Sequence, residues 1–326
     1  MKIAYLCNKE TYLKKMSRVR FHSMEAIEKI STFLWTGPNW ENWDNNKTAD
    51  ENLKANNFTP DIIVGYKPLE IKGFAGSKFI KCIRYNEMHD KKWTTKEINA
   101  SSADIVACHH KNDWEEWKER SFNKKINFIN IPHCAEKTVF KDYGLEKIHD
   151  VLLVGALNIN FYPLRQKMVE VLMEMKEDYK VGVFRHPGYN LIDASTNKYA
   201  IEFAKAINST KICLTCSGSG KWRFGKYAEI PACRSAIAAD IPDDGQVHFN
   251  QFAIKINPED SIKTITNKLK EKQMGNAPQF SNTKVKFNRP VSSSEDNPGQ
   301  QVKVSVWLNF DNGWDESSNR PFPPTP

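Results

Sequence analysis

The stretch GSGKWRFGKYAEIPACRSAIAADIPDD (218–244) is the segment on which the reading of the fold turns. It opens on small residues, carries the cations Lys221, Arg223 and Lys226 and the acid Glu229, and runs into the apolar segment SAIAAD (235–240). Gly218 and Gly220 let the backbone approach an anion closely. The pattern predicts a helix from about Phe224 to Cys233, whose positive end faces the same spot. Lys226 and Glu229 are three residues apart and share a helix face. Two arrangements fit these residues: Lys226 on a phosphate with Glu229 accepting from a sugar diol, or a solvated helix carrying an i,i+3 ion pair.

Working outward, apolar runs alternate with amphipathic ones. Upstream, HDVLLVGAL (149–157), KVGVFRH (180–186) and KICLTCS (211–217) read as buried strands, with helices at PLRQKMVEVLMEMK (163–176) and NKYAIEFAKAINS (197–209). Pro163 suits a first helical turn. Downstream, SAIAAD and FAIKIN (252–257) are strands, and DSIKTITNKLKEKQM (260–274) is a helix capped by Asp260 or Ser261. The first half repeats the scheme. KIAYLC (2–7), DIIVGYK (61–67), KFIKCIRY (78–85) and ADIVACHH (103–110) are strands, and SRVRFHSMEAIEKI (17–30) and NDWEEWKER (112–120) are helices. The polar stretch 36–57, with Trp40 and Trp43, reads as a loop and a short exposed helix. Two α/β domains with doubly wound parallel sheets follow, covering 1–146 and 147–275. The tail 276–326 differs: TKVKFNR (283–289) and QVKVSVWLNF (301–310) alternate with period two, which predicts a β-hairpin appendage before an extended Pro-rich end.

Composition narrows the function classes. A chain of 326 residues, 40% hydrophobic, supports two cores. No apolar run approaches the ~20 residues of a membrane span, and MKIAYLCNKE is a first strand rather than a signal peptide. Seven irregularly spaced cysteines suit a reducing, cytoplasmic compartment, with the inner membrane surface as an alternative place of work. Cys213 and Cys216 form a lone CxxC, read as an apolar strand end rather than a metal site. The net charge of +8 suits an anionic substrate, yet 26% charged residues and the lack of a basic–aromatic motif disfavour nucleic acid. A Gly-rich dinucleotide fingerprint is absent, which excludes the usual nicotinamide or flavin site.

The segment KYAEIPACRSAIAAD (226–240) resembles the donor-binding segment of retaining GT-B glycosyltransferases, near the glycosyltransferase family 4 and CgeB-like groups. By that match Lys226 corresponds to the diphosphate-binding cation, Tyr227 to the aromatic that follows it, and Glu229 to the acid that grips the ribose. The family pattern has a second Glu eight residues earlier, where this chain has Lys221. PHCAEKTVF (132–140) resembles the Pro-x-Gly-x-Asp-x-x-x-Phe segment that ends the N-terminal domain of such enzymes, with Cys134 in place of Gly and Glu136 in place of Asp. The resemblance spans about 1–274. It implies two Rossmann-like domains facing a cleft, transfer of a sugar from a nucleoside-diphosphate sugar with retention, and no metal or other cofactor.

The donor side is then expected to include Ser217, Gly218, Ser219, Lys221, Arg223, Lys226, Tyr227 and Glu229, with Arg185 at the end of another strand. The family's histidine from an N-domain strand end corresponds best to His89, in NEMHD (86–90), as the catalytic candidate. Arg18, Arg20, His22 and His109 are acceptor-side candidates, and the acceptor is a glycan, a lipid-linked molecule or another small compound. His133 is expected to pack the domain junction, and Asp243 and Asp244 to be solvated. A homodimer through the tail is a further expectation. Two alternatives stay open: a sugar-nucleotide epimerase on the same fold, and a non-catalytic sugar-nucleotide-binding protein.

Overall fold

The fold was obtained as a computed structural model, which describes residues 1–13, 15–85, 88–184, 197–274, 286–287 and 304–305, with backbone alone at 15–20, 273–274, 286–287 and 304–305. Two parallel sheets organise it. The first contains β1 (Lys2–Leu6), β2 (Thr32–Thr36), β3 (Ile62–Gly65), β4 (Ile80–Tyr85), β5 (Ile105–Cys108) and β6 (Asn127–Asn130), in the order β2-β1-β3-β4-β5-β6. The second contains β7 (His149–Val154), β8 (Val181–Phe184), β9 (Thr210–Leu214), β10 (Ala236–Ala239) and β11 (Ile254–Lys255), in the order β11-β10-β9-β7-β8. Both have the same winding: the first strand sits inside, the second beside it at one edge, and the third on its other flank. The winding direction reverses between β1 and β3 and again between β7 and β9. Connections leave the sheet in opposite directions at such a point and open a crevice beyond the strands' carboxyl ends.

Helices cover both faces of each sheet, so most central strands are near-continuous apolar runs, with β4 the exception in carrying the buried Lys81 and Arg84. The first sheet carries α1 (Lys9–Leu13), α2 (Lys15–Glu28), α3 (Ala49–Ala55), α4 (Lys91–Ser101) and α5 (Lys111–Trp117). The second carries α6 (Pro163–Met175), α7 (Lys198–Asn208), α8 (Lys226–Ala232), α9 (Gln246–Phe252) and α10 (Ile262–Met274). In α6 the residues Leu164, Met168, Val171, Leu172 and Met175 recur every three or four positions and are buried against the sheet. Ser261 caps α10, its Oγ accepting from the Thr264 N–H at 3.1 Å.

Several elements depart from the sequence reading. β2, α4 and α9 lie largely in stretches to which the sequence reading assigned no element. Helix α8 is shorter than expected, starting at Lys226 with Gly225 as its cap and carrying Pro231 inside. In the first domain, α3 is fixed by a capping box, in which the Thr48 N–H donates to Glu51 Oε2 at 2.7 Å and Thr48 Oγ1 accepts from the Glu51 N–H. Cys213 and Cys216 are buried on opposite faces of the second sheet, in separate cores. Val139 and Phe140, at the end of the 132–140 segment, pack into the second sheet's core beside Phe203. In the tail, Lys286–Phe287 and Val304–Ser305 pair antiparallel. The rest of the tail, and with it the expected dimer contact, lies outside the described residues. Among the described residues no helix is long and apolar enough to cross a membrane.

The amphipathic reading of α6 makes a direct prediction. Leu172 is fully buried and Met173 is 44% exposed. Leu172→Ala is expected to cost about 2–5 kcal/mol, and Met173→Ala under about 0.5 kcal/mol, measured by urea denaturation.

Candidate functional site

The crevice at the β7/β9 reversal is built by two loops, 155–162 after β7 and 215–225 after β9. Arg165, 3% exposed on the first turns of α6, ties them together. Its Nη1 donates to Ala156 O at 3.0 Å, and its Nη2 to Thr215 Oγ1 at 3.2 Å and Cys216 O at 3.3 Å. The guanidinium also lies 4.1 Å from the centre of the Tyr162 ring. Gly155 adopts φ +111°, and a Cβ there would stand 2.6 Å from Arg165 Nη1, so only glycine lets this cation fill the space. The Ser219 N–H donates to Phe161 O at 2.9 Å and closes the two loops on each other.

The organising stretch is more tightly internally bonded than its glycines suggest. The N–H groups of Lys221, Trp222 and Phe224 donate to Gly218 O, Ser217 O and Trp222 O. Ser217 is fully buried, with its N–H and hydroxyl both on the Asp240 carboxylate. Tyr227 is 1% exposed and its hydroxyl donates to Asp240 O at 2.6 Å. Both are therefore framework residues here, without a surface for a donor. Gly218, at φ +70°, gives close access to Phe161 O, while Ser219 and Lys221 are exposed and Arg223 and Lys226 half-buried.

Two of the three cations of this segment, Arg223 and Lys226, already have acidic neighbours. Lys226 Nζ sits 2.8 Å from Glu229 Oε2 and 4.6 Å from the centre of the Phe203 ring. Glu229 is only 2% exposed, so the ion pair expected of the two is present and inward-facing. Arg223 stands 3.6 Å from Asp244, too far for a good hydrogen bond. Asp243 and Asp244 are thus engaged rather than merely solvated, since Asp243 also accepts from Asn112.

Across the crevice stands the end of the first sheet. His89 is exposed, with its ring 5.3 Å from that of Phe161 and 6.1 Å from that of Trp222, both of the second domain. His109 is placed differently from the expectation. It is 4% exposed, accepts at Nε2 from Arg84 Nε at 2.7 Å, and donates from Nδ1 to Ile131 O at 2.7 Å. Those partners require the neutral Nδ1–H tautomer and leave no face for an acceptor. His133 stacks on it at 4.4 Å and lies 5.2 Å from His110, both of the first domain. His22 is 3% exposed and hydrogen-bonds Asn197 Oδ1 at 2.9 Å, a domain contact rather than an open acceptor surface. The side chains of Arg18 and Arg20, and Arg185 altogether, lie outside the described residues. Trp40 and Trp43 are half-buried packing residues: Trp40 stacks near Trp35 and donates to Cys7 O, and Trp43 lies against the α3 core.

His110, next to His109, caps α5 and is 1% exposed. Its ring lies 5.8 Å from Trp222 and 5.3 Å from Phe224. Burial among these rings drives its pKa down to about 3. The sequence reading singled out neither Arg165, Trp222 nor Asp113, and none carries a motif. An arginine two residues past a helix-starting proline is the faint local sign of the first.

Two doubly wound domains meeting across such a crevice define the GT-B architecture. No protein-family model matches the chain, and no curated protein matches it in sequence. Solved structures do share the fold. An α-glucosyltransferase in complex with UDP and a 13-mer DNA containing an HMU base aligns over 85% of this chain and 91% of its own, at 10% identity and a TM-score of 0.55. The complex with UDP and a 13-mer containing a central A:G mismatch gives the same identity and coverage and a TM-score of 0.52. A looser likeness, with a TM-score of 0.47 and 12% identity over 85% of this chain and 88% of the other, is to a Listeria monocytogenes protein assigned as a UDP-N-acetylglucosamine 2-epimerase.

Two outcomes are expected from these placements. Lys226→Ala leaves the Glu229 carboxylate buried without its cation and is expected to cost about 3 kcal/mol; adding Glu229→Gln returns most of it in a double-mutant cycle read by denaturation. His110 binds protons more readily unfolded than folded, because its pKa falls from 6.5 to about 3. Stability is therefore lost as pH drops below 6.5 toward 3, and His110→Phe is expected to flatten that part of the pH–stability curve.

Proposed function

We propose that this protein is a glycosyltransferase that moves a sugar from a nucleoside-diphosphate sugar to an acceptor held against the first domain. The observation that carries the reading is the β7/β9 crevice, where Lys221 and Arg223 flank Trp222 on one loop, Lys226 opens α8 directly after it, and the Trp222 ring stands 6.1 Å from that of His89 across the domain boundary. Open parallel sheets bind ligands at this kind of reversal. The similar α-glucosyltransferase structures contain UDP, in agreement with a nucleoside diphosphate here.

On this reading the diphosphate lies over the 217–226 loop. Arg223, weakly engaged by Asp244, and Lys221, exposed, swing onto the phosphates, while Lys226 keeps one proton on Glu229 and offers another. Three cations stabilise the charge that builds on the departing diphosphate, so the proposed reaction needs no metal ion. His89 contacts the sugar as it is transferred. The anomeric configuration is proposed to be retained. The acceptor is a glycan, a lipid-linked molecule or another hydroxyl compound. DNA, which accompanies UDP in the similar structures, joins the acceptor panel.

The test incubates the protein with UDP-, GDP- and ADP-sugars and that panel, with and without EDTA, and identifies products by mass and anomeric NMR. A transferred sugar of unchanged configuration is expected in both conditions. An isomerised donor points to an epimerase, and activity lost to EDTA and restored by a divalent ion overturns the metal-free reaction. Arg223→Ala is expected to weaken nucleoside-diphosphate binding by about 1.5–3 kcal/mol in calorimetry. His89→Ala is expected to lower kcat about a hundredfold or more with little change in donor KM.

A further inference from the structure

The first turn of α5 grips the second domain in a way the proposed reaction has not yet used. Asp113 is 7% exposed, and its two carboxylate oxygens serve opposite domains. Oδ2 accepts from the Met88 N–H at 3.0 Å, on the loop that carries His89, and Oδ1 accepts from Trp222 Nε1 at 3.2 Å, on the loop that carries the cations. Beside it, Asn112 Nδ2 donates to Gly220 O at 3.2 Å and to Asp243 Oδ2 at 3.0 Å. Trp222 is 8% exposed, inserted between His89 and His110 of the first domain and Phe224 of its own. Gly220 makes the insertion possible, because a Cβ there would stand 2.2 Å from the Trp222 ring.

We propose that Asp113 is a positioning residue that couples the cation loop to the His89 loop, with Trp222 as the movable bolt and Asn112 as the second fastening. A carboxylate that accepts one N–H from each domain holds both loops in register, and a buried carboxylate that loses a donor is strongly penalised. Placement of His89 therefore depends on the state of the loop 217–225. This inference rests on the glycosyltransferase reading for its role in turnover, while the coupling itself does not.

The experiment separates the two. Trp222→Phe keeps an aromatic ring but removes the Nε1–H, leaving the Asp113–Met88 bond chemically intact. Hydrogen exchange followed by mass spectrometry is compared in the parent, Trp222→Phe, Asn112→Ala and Asp113→Ala, each first shown to be folded by circular dichroism. Coupling is expected to speed exchange at the peptide holding Met88 and His89 by about tenfold in Trp222→Phe, although the change lies in the other domain. Exchange altered only around 217–225, with the Met88 peptide unchanged, overturns the proposal whether or not the protein transfers sugar. If a donor is turned over, Trp222→Phe and Asp113→Ala are also expected to lower kcat at least tenfold with donor KM little changed. Their double variant is expected to be no worse than Asp113→Ala alone. Losses that multiply instead overturn the coupling. Faster exchange at Met88 in a protein that turns over no nucleotide sugar supports the coupling and removes only the reading of the reaction.

Discussion

One buried cation holds the crevice together. Arg165 lies under both loops of the β7/β9 reversal and is held by two carbonyl oxygens, a hydroxyl and the face of Tyr162 rather than by a carboxylate. A charge in that position is costly to desolvate, and it persists because several hydrogen bonds and a ring face compensate together. The loops cannot separate without stripping it of partners. Every contact described above the second sheet, from Ser219 on Phe161 to the seat of Trp222, presupposes that the two loops stay at the spacing Arg165 sets.

Above this brace the charges are arranged for exchange. Lys226 faces Glu229, and Arg223 faces Asp244, in geometries of unequal quality: 2.8 Å for the first pair and 3.6 Å for the second. The tight, buried pair is a fixed feature, whereas the loose one yields more readily to a stronger anion. The aromatic contacts crossing the domain boundary, Phe161 and Trp222 to His89 and Trp222 to His110, set apolar surface beside these charges, and charges interact more strongly next to low-dielectric surface. His22 and Asn197 tie α2 to the start of α7, a further contact between the domains.

Much of this was legible in the chain alone, for reasons that differ by element. Most central strands are near-continuous apolar runs, because a parallel sheet buried on both faces demands them, and most boundaries fall within a residue or two of expectation. The Lys226–Glu229 pair was legible because helix spacing puts residues three apart on one face. β2 was not: its apolar run is only Phe33 to Trp35, one residue shorter than that of β1, and it stands half-buried at a sheet edge. Ser217 and Tyr227 carry polar groups suited to a ligand, and local pattern does not reveal that Asp240, on the neighbouring strand's end, takes both.

Sequence by itself thus determined the alternation of strand and helix, the two-sheet architecture and the segment where charge and glycine converge, because these follow from periodicity and from residue chemistry within a few positions. Only the tertiary structure decided which of those residues face the crevice. It turned His109 and His22 inward, buried Glu229, and brought Arg165, Asp113 and Trp222 into the site from positions as far apart as 113 and 222. Burial and hydrogen-bond partnership are set by residues distant in sequence and adjacent in space, and no window along the chain contains both members of such a pair.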